Sequence, residues 1–291
     1  MSTADVATQP IAWAASVRSW LRLLRSELGL VFLRRRNLAL LGVLAAVPVV
    51  LGIVLKVSSP QPGGSDGPGS AFIGQVTGNG VFLAFLTLVV ELTLILPLAV
   101  AVVAGDSVAG EAGRGTLRYL LAVPAGRTRL LGIKFVAVVA FCLGACLLVA
   151  AVAVVLGAIL FPVRPVTLLS GTTIPLAAGL LRLLFVAAYI AAAMAALGAI
   201  GLAISTFTDH AIGAIAAVLV IAVASEVADN VSQLAAAHPY LPSHWWLSFD
   251  ALLRSPVAWP DLTHGLLSFG VYAVIFCSVA WARFTTADVT S

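Results

Sequence analysis

Apolar residues along this 291-residue chain run together instead of alternating with polar ones. Several runs reach about 20 residues, the length a helix needs to cross a hydrocarbon layer of about 30 Å. The runs lie at roughly 38–57, 81–104, 135–161, 183–205, 211–228 and 264–283. Strands of a membrane barrel would be about half as long and would alternate polar with apolar positions. The pattern therefore predicts an all-α integral membrane protein with six membrane-crossing helices. Three regions follow: 1–37 as an N-terminal segment, 38–284 as the six-helix membrane region, and 285–291 as a short tail.

A second period precedes the first span. Between residues 11 and 33, Trp13, Val17, Trp20, Leu21, Leu24, Leu28 and Val31 recur every three or four positions, while Arg18, Arg22 and Arg25 occupy another face. Such a stripe predicts an amphipathic helix lying in the headgroup plane, anchored by Trp13 and Trp20. Arg34, Arg35 and Arg36 stand at the point of entry into the bilayer. They suit anionic lipid heads, and they serve equally as an ordinary topology signal.

Composition agrees with burial in lipid. The chain is 61% hydrophobic and only 10% charged, where a soluble domain carries about a quarter charged residues. The net charge of +4 does not indicate nucleic acid, because the basic residues are segregated. One group precedes the first span, and a second (Arg114, Arg118, Arg127, Arg129, Lys134) lies between spans two and three. The first, third and fifth interspan loops hold only Arg164, Arg254 and, at the very edge of span four, Arg182. Basic residues are retained on the cytoplasmic side, so both termini are expected inside a cell inner (plasma) membrane, which requires an even number of spans. The N-terminus is not expected to be a cleaved signal, since its basic region is too long and the first apolar run long enough to span.

Small residues mark the fourth span, where Ala187, Ala191, Ala195, Ala199 and Ala203 recur at four-residue intervals and predict close helix packing. The long segment 234–263 collects prolines and aromatic residues suited to a membrane interface. His238, His244 and His264 fall within or beside it, but their spacing matches no zinc pattern, and no metal site is expected. Cys142, Cys146 and Cys277 all lie in spans and predict packing roles, with no disulfide framework. The chain contains no G-x-x-x-x-G-K-[ST] loop, no H-E-x-x-H and no G-x-S-x-G. It is expected to be no enzyme and to bind no cofactor of its own.

The loop between spans two and three is the most informative segment. It reads GDSVAGEAGRGTLRYLLAVPAGRTRLLGIK from Gly105 to Lys134. Thr116–Val123 forms a predicted short helix ended by Pro124, with Leu117, Leu120 and Leu121 on one face and Arg114 and Arg118 supplying charge. Such a helix suits a groove on a partner protein, or else a lipid interface.

The segment resembles the permease subunits of type-two ABC exporters. The matching positions are Gly110, Glu111, Gly115, Thr116, Leu117, Leu120, Leu121, Pro124, Arg127 and Lys134, and the overall plan of the chain is similar too. The resemblance implies two permeases, identical or different, paired across the membrane, with two separate ATP-binding subunits below that carry ATP and Mg. The short helix would be the coupling helix seated in the ATP-binding subunit, with the N-terminal helix as a second contact. Glu111 would fix the loop, and Arg114, Arg118 and Arg127 would pair with acidic groups of the partner. The implied function is export of a hydrophobic or amphipathic compound, as in multidrug efflux. A gradient-driven carrier and a membrane assembly factor remain open readings of the residues.

Charges within spans supply the remaining candidates. Glu91 lies ten residues into span two, about 15 Å deep, where an ionisable group is costly and functional by default. It either contacts substrate or packs as a protonated or paired group. Arg182 pairs with it if span four begins near Thr172, and snorkels to the outer surface if the span begins at Leu183. Glu226 stands toward the end of span five near Asp229, and Phe82 and Phe85 suit either a hydrophobic cavity or lipid.

Overall fold

The computed structural model describes residues 12–57, 79–113, 115, 127–168 and 170–286, with side chains from Trp20 onward and not at Arg127. Its elements are α1 (Ala12–Leu33), α2 (Arg35–Val57), α3 (Val81–Thr93), α4 (Ile95–Ala112), α5 (Arg127–Leu160), β1 (Val166–Thr167), β2 (Thr173–Ile174), α6 (Leu176–Ser205), α7 (Ala211–Asp229) and α8 (Trp259–Thr286). Three short 3-10 turns, Ser232–Leu234, His238–Tyr240 and Ser248–Leu253, link α7 to α8. Among the described residues six helices, α2 and α4 to α8, are long and apolar enough to cross a membrane. The protein is an all-α membrane protein, and among the described residues its strands amount to one two-residue hairpin pairing Val166 with Ile174 and Thr167 with Thr173.

The apolar run expected as one span over 81–104 is divided. Leu94 leaves helical geometry at φ −149° and ψ −45°, separating α3 from α4. Pro97 explains the place: it has no N–H to offer the carbonyl four residues back at Thr93, and its ring crowds that carbonyl. The helix then runs on to Ala112. Span four also differs, beginning at Leu176 after Pro175, whose φ of −57° and ψ of 150° start the helix. Arg182 therefore lies inside α6, and α6 is seven residues longer at its start than the run at 183–205.

α6 is the central helix. It packs on α4, α5 and α8 and is largely buried, whereas α2, α7 and α8 are largely exposed. Small residues make this possible. Ala187, Ala191, Ala199 and Ala203 are buried on the expected stripe, and a Cβ at Gly201 would come within 2.8 Å of the Ala104 Cβ. The outer helices present apolar side chains such as Val50, Ile212, Val220, Leu267 and Val274 outward, which is stable only against lipid tails or another apolar surface.

The helix ends sort onto two faces. One carries the α1–α2 junction, the end of α4, the start of α5, the α6–α7 turn and the end of α8. Trp281 Nε1 there donates to Thr128 Oγ1 at 2.9 Å, and Arg283 lies over the Phe207 ring. Arg34, Arg35, Arg36, Arg129, Lys134 and Arg283 belong to this basic face. The opposite face holds the hairpin and the turns before α8. Asn79 Nδ2 donates to the carbonyls of Arg164 and Pro165, and Arg182 Nη1 donates to those of Leu252 and Arg254 at 2.7 and 2.9 Å.

Candidate coupling site on the basic face

Three elements meet at Lys134, about two turns into α5. Its side chain is 2% exposed, and its Nζ stands 2.7 Å from Glu111 Oε1 of α4 and 3.4 Å from Glu27 of α1. A buried ammonium is stable only when paired, and here two carboxylates from different helices converge on it. The pair of Glu111 and Lys134 closes the base of the loop between α4 and α5. Glu27, the one acid in α1, ties the amphipathic helix to the same point.

A second ion group lies beside the first. Asp106 Oδ2 accepts from Arg34 at 2.8 Å and from Arg36 at 2.9 Å. Asn37 is buried and donates to the Val31 carbonyl at 2.8 Å, which holds the bend between α1 and α2. The two groups border a cavity of ≈ 30 Å³, room for a water molecule among polar partners. Arg34 and Arg36 thus serve α4 directly, while Arg35 is exposed.

The backbone of α4 is shaped for this arrangement. A Cβ at Gly110 would overlap the Asp106 carboxylate, and one at Gly113 would come 2.6 Å from the Asp209 carbonyl in the α6–α7 turn. Gly115 has φ +69°, a left-handed conformation that glycine adopts without steric cost. Ser205 of α6 adds a link: its hydroxyl donates to the Gly105 carbonyl at 2.9 Å and accepts from the Val108 and Ala109 amides at 3.0 and 2.8 Å. A groove of ≈ 340 Å³ lined by Gly110, Gly113, Asp209, His210 and Ile212 opens beside the start of the loop.

Arg114, Thr116, Leu117, Arg118, Leu120, Leu121 and Pro124 lie outside the described residues, as do the side chains of Trp13 and Arg127. Trp20 is half-buried on α1. The C-terminal part of α1 packs on α5, with Phe32 and Phe141 ring centroids 6.1 Å apart and Phe32 against Gly144. Leu21, Leu30 and Leu33 are exposed.

The chain matches the family described as ABC-2 family transporter protein over residues 30–225, more than half its length. It belongs to the ABC-2 transporter family. Among curated proteins none matches it. The ABC-2 match makes the chain an ABC transporter permease, a multi-pass transport subunit rather than an enzyme. Permeases of this family generally work with an ATP-binding subunit.

The candidates within the membrane of this ABC-2 permease do not gather at one place. Glu91, in the last turn of α3, is fully buried, and neither carboxylate oxygen has a hydrogen-bond partner among the described residues. Arg182 does not pair with it, being committed to the carbonyls that end the turn before α8. Phe82 and Phe85 are buried against each other with ring centroids 6.0 Å apart. Glu226 is half-buried on α7, one turn before Asp229. His264 stacks on Trp245 with centroids 5.6 Å apart, whereas His238 and His244 converge on Asp229.

Glu27, Asp106 and Ser205 escaped the sequence reading. The first had a signal, since a lone acid in a basic amphipathic helix has a reason to be there. Asp106 and Ser205 had none, because their partners lie 70 and 100 positions away.

Proposed function

We propose that this ABC-2 permease is the membrane half of an ATP-driven exporter of hydrophobic or amphipathic compounds, with ATP and Mg held by two copies of a separate subunit and a second permease, the same or different, beside it. The observation that carries the reading is Lys134 joined to both Glu27 and Glu111. A loop that transmits force must be anchored at its base, or it bends instead of moving the helices. Here the base is tied to α1, α4 and α5 at once, so displacement of the loop is passed to three helices.

The basic face is the cytoplasmic one in this reading, as retention of Lys and Arg requires. Thr116–Val123 is the coupling helix, with Leu117, Leu120 and Leu121 entering the ATP-binding subunit and Arg114, Arg118 and Arg127 reaching its acidic groups. The groove at Gly113, Asp209 and Ile212 adds a contact beside it. Trp13, Trp20 and Arg35 hold α1 at the lipid surface. Membership of the ABC-2 family weighs against a gradient-driven carrier.

The test is cysteine placed at Leu117 and Leu120 in a chain with Cys142, Cys146 and Cys277 replaced by alanine. An impermeant maleimide added to intact cells should leave both sites unlabelled and should label them in inverted vesicles. A crosslinker from the same positions should capture an ATPase encoded beside this chain. Labelling from outside the cell would overturn the reading.

A further inference from the structure

The geometry points to a divalent transition-metal site at Asp229, His238 and His244, on the face opposite the coupling loop. The one ligand atom each residue offers lies within 4.8 Å of the other two. Asp229 ends α7, and both histidines come from the turns that follow it. His244 Nδ1 stands 2.6 Å and His238 Nδ1 3.9 Å from the same oxygen, Asp229 Oδ1. The three side chains are 19–29% exposed, sheltered yet open to an entering ion.

The hydrogen bonds around the group favour a cation at its centre. His238 Nε2 lies 3.1 Å from the Val231 carbonyl. A carbonyl can only accept, so Nε2 carries the proton and the neutral ring has its lone pair on Nδ1. That nitrogen stands 3.9 Å from a carboxylate oxygen, an arrangement that a positive ion between them makes favourable. The backbone carbonyl on the remote nitrogen is also the usual way in which a metal-bound imidazole is oriented. On metal entry the His244 proton moves from Nδ1, where it bonds Asp229, to Nε2.

The surroundings hold the ligands in place before any ion arrives. The Ser225 and Ser243 hydroxyls are 2.6 Å apart, and Ser225 Oγ accepts the Ser243 amide at 3.1 Å, which fixes the chain just before His244. Trp245 Nε1 donates to the Pro239 carbonyl at 3.1 Å. Ligands at about 2.0–2.1 Å from a tetrahedral zinc are about 3.4 Å apart. The 2.6 Å contact must open and the 3.9 Å one close, each by less than an ångström, within reach of side-chain rotation. Two imidazoles and one carboxylate suit zinc and its neighbours, whereas calcium and magnesium prefer all-oxygen sites. With three protein ligands the ion keeps an open position.

Occupancy would tie α7 to the turns before α8. Those turns also hold α6, through the Tyr189 hydroxyl donating to the Trp245 carbonyl at 2.8 Å, and α8, through Trp245 stacked on His264. The site is therefore a removable staple across three helices at the end away from the coupling loop.

The experiment uses the full chain, purified in detergent without a polyhistidine tag and stripped with a chelator. Zn²⁺ is titrated by calorimetry, and Co²⁺ is followed by its visible absorption. One Zn²⁺ per chain should bind with sub-millimolar affinity, and Co²⁺ should give the strong visible bands of low-coordinate nitrogen and oxygen ligation. His244→Ala, His238→Ala and Asp229→Asn should each weaken Zn²⁺ by about 100-fold or more, since loss even of an outer-shell partner costs 10–100-fold. His264→Ala should stay within about threefold, because its ring stacks on Trp245 and is no ligand. Absence of saturable binding to the unmodified chain would show a proton-only cluster and overturn the inference. So would Zn²⁺ affinity unchanged in the double variant H238A/H244A. The unmodified chain's Co²⁺ spectrum decides the matter should the variants fail to fold.

Discussion

Replacing Lys134 with methionine removes a cation shared by Glu27 and Glu111 and keeps the volume of the side chain. Loss of one partner from a buried ion pair costs about 3–5 kcal/mol, chiefly because the remaining charge is stranded. Two carboxylates lose this partner here, and both are slightly accessible, at 11% and 8% of their side chains. Water and protonation relieve part of the cost, so we expect about 3 kcal/mol, more than a hundredfold in the unfolding equilibrium. Lys134→Arg should cost less, since the charge stays. Adding Glu111→Gln to Lys134→Met should recover about 1–2 kcal/mol, within the coupling range of contacting residues. Glu111→Gln alone should cost more than Glu27→Gln, because its contact is 2.7 Å against 3.4 Å. Reversible unfolding in mixed detergent micelles, followed by tryptophan fluorescence, measures all of these. A Lys134→Met protein within about 0.5 kcal/mol of its parent, the range of ordinary surface substitutions, would refute the idea that Lys134 locks the three helices.

Other substitutions test neighbouring parts. Gly110→Ala should push the Asp106 carboxylate away from Arg34 and Arg36, costing about 1–3 kcal/mol. Its effect should largely vanish in an Asp106→Asn background, as a double-mutant cycle would read. Ser205→Ala removes a hydroxyl that bonds three backbone groups of α4 and should cost about 1–3 kcal/mol in the same unfolding assay. Glu91→Gln should leave expression and unfolding unchanged, since no described residue pairs with the carboxylate. It should alter export kinetics in inverted vesicles, and unchanged rates across the tested substrates would remove Glu91 from the functional candidates.

The chain's own order of residues specified the class of protein and the number of long apolar helices, because crossing a hydrocarbon layer is a demand on composition and length that each segment meets alone. It also carried the family resemblance, since Gly110, Glu111 and Lys134 lie within one continuous stretch. The alanine stripe of α6 was readable for the same reason: periodicity is local. Partnerships were not readable, because they depend on how helices far apart in the chain are set against one another. Arg182 illustrates this, since it was within reach of Glu91 by depth and yet caps the turn before α8. Asp229 illustrates it again, joining two of three histidines whose spacing had suggested no site. Charge in a membrane protein must find an opposite charge, a dipole or water wherever packing leaves it, and packing is a property of the assembled helices.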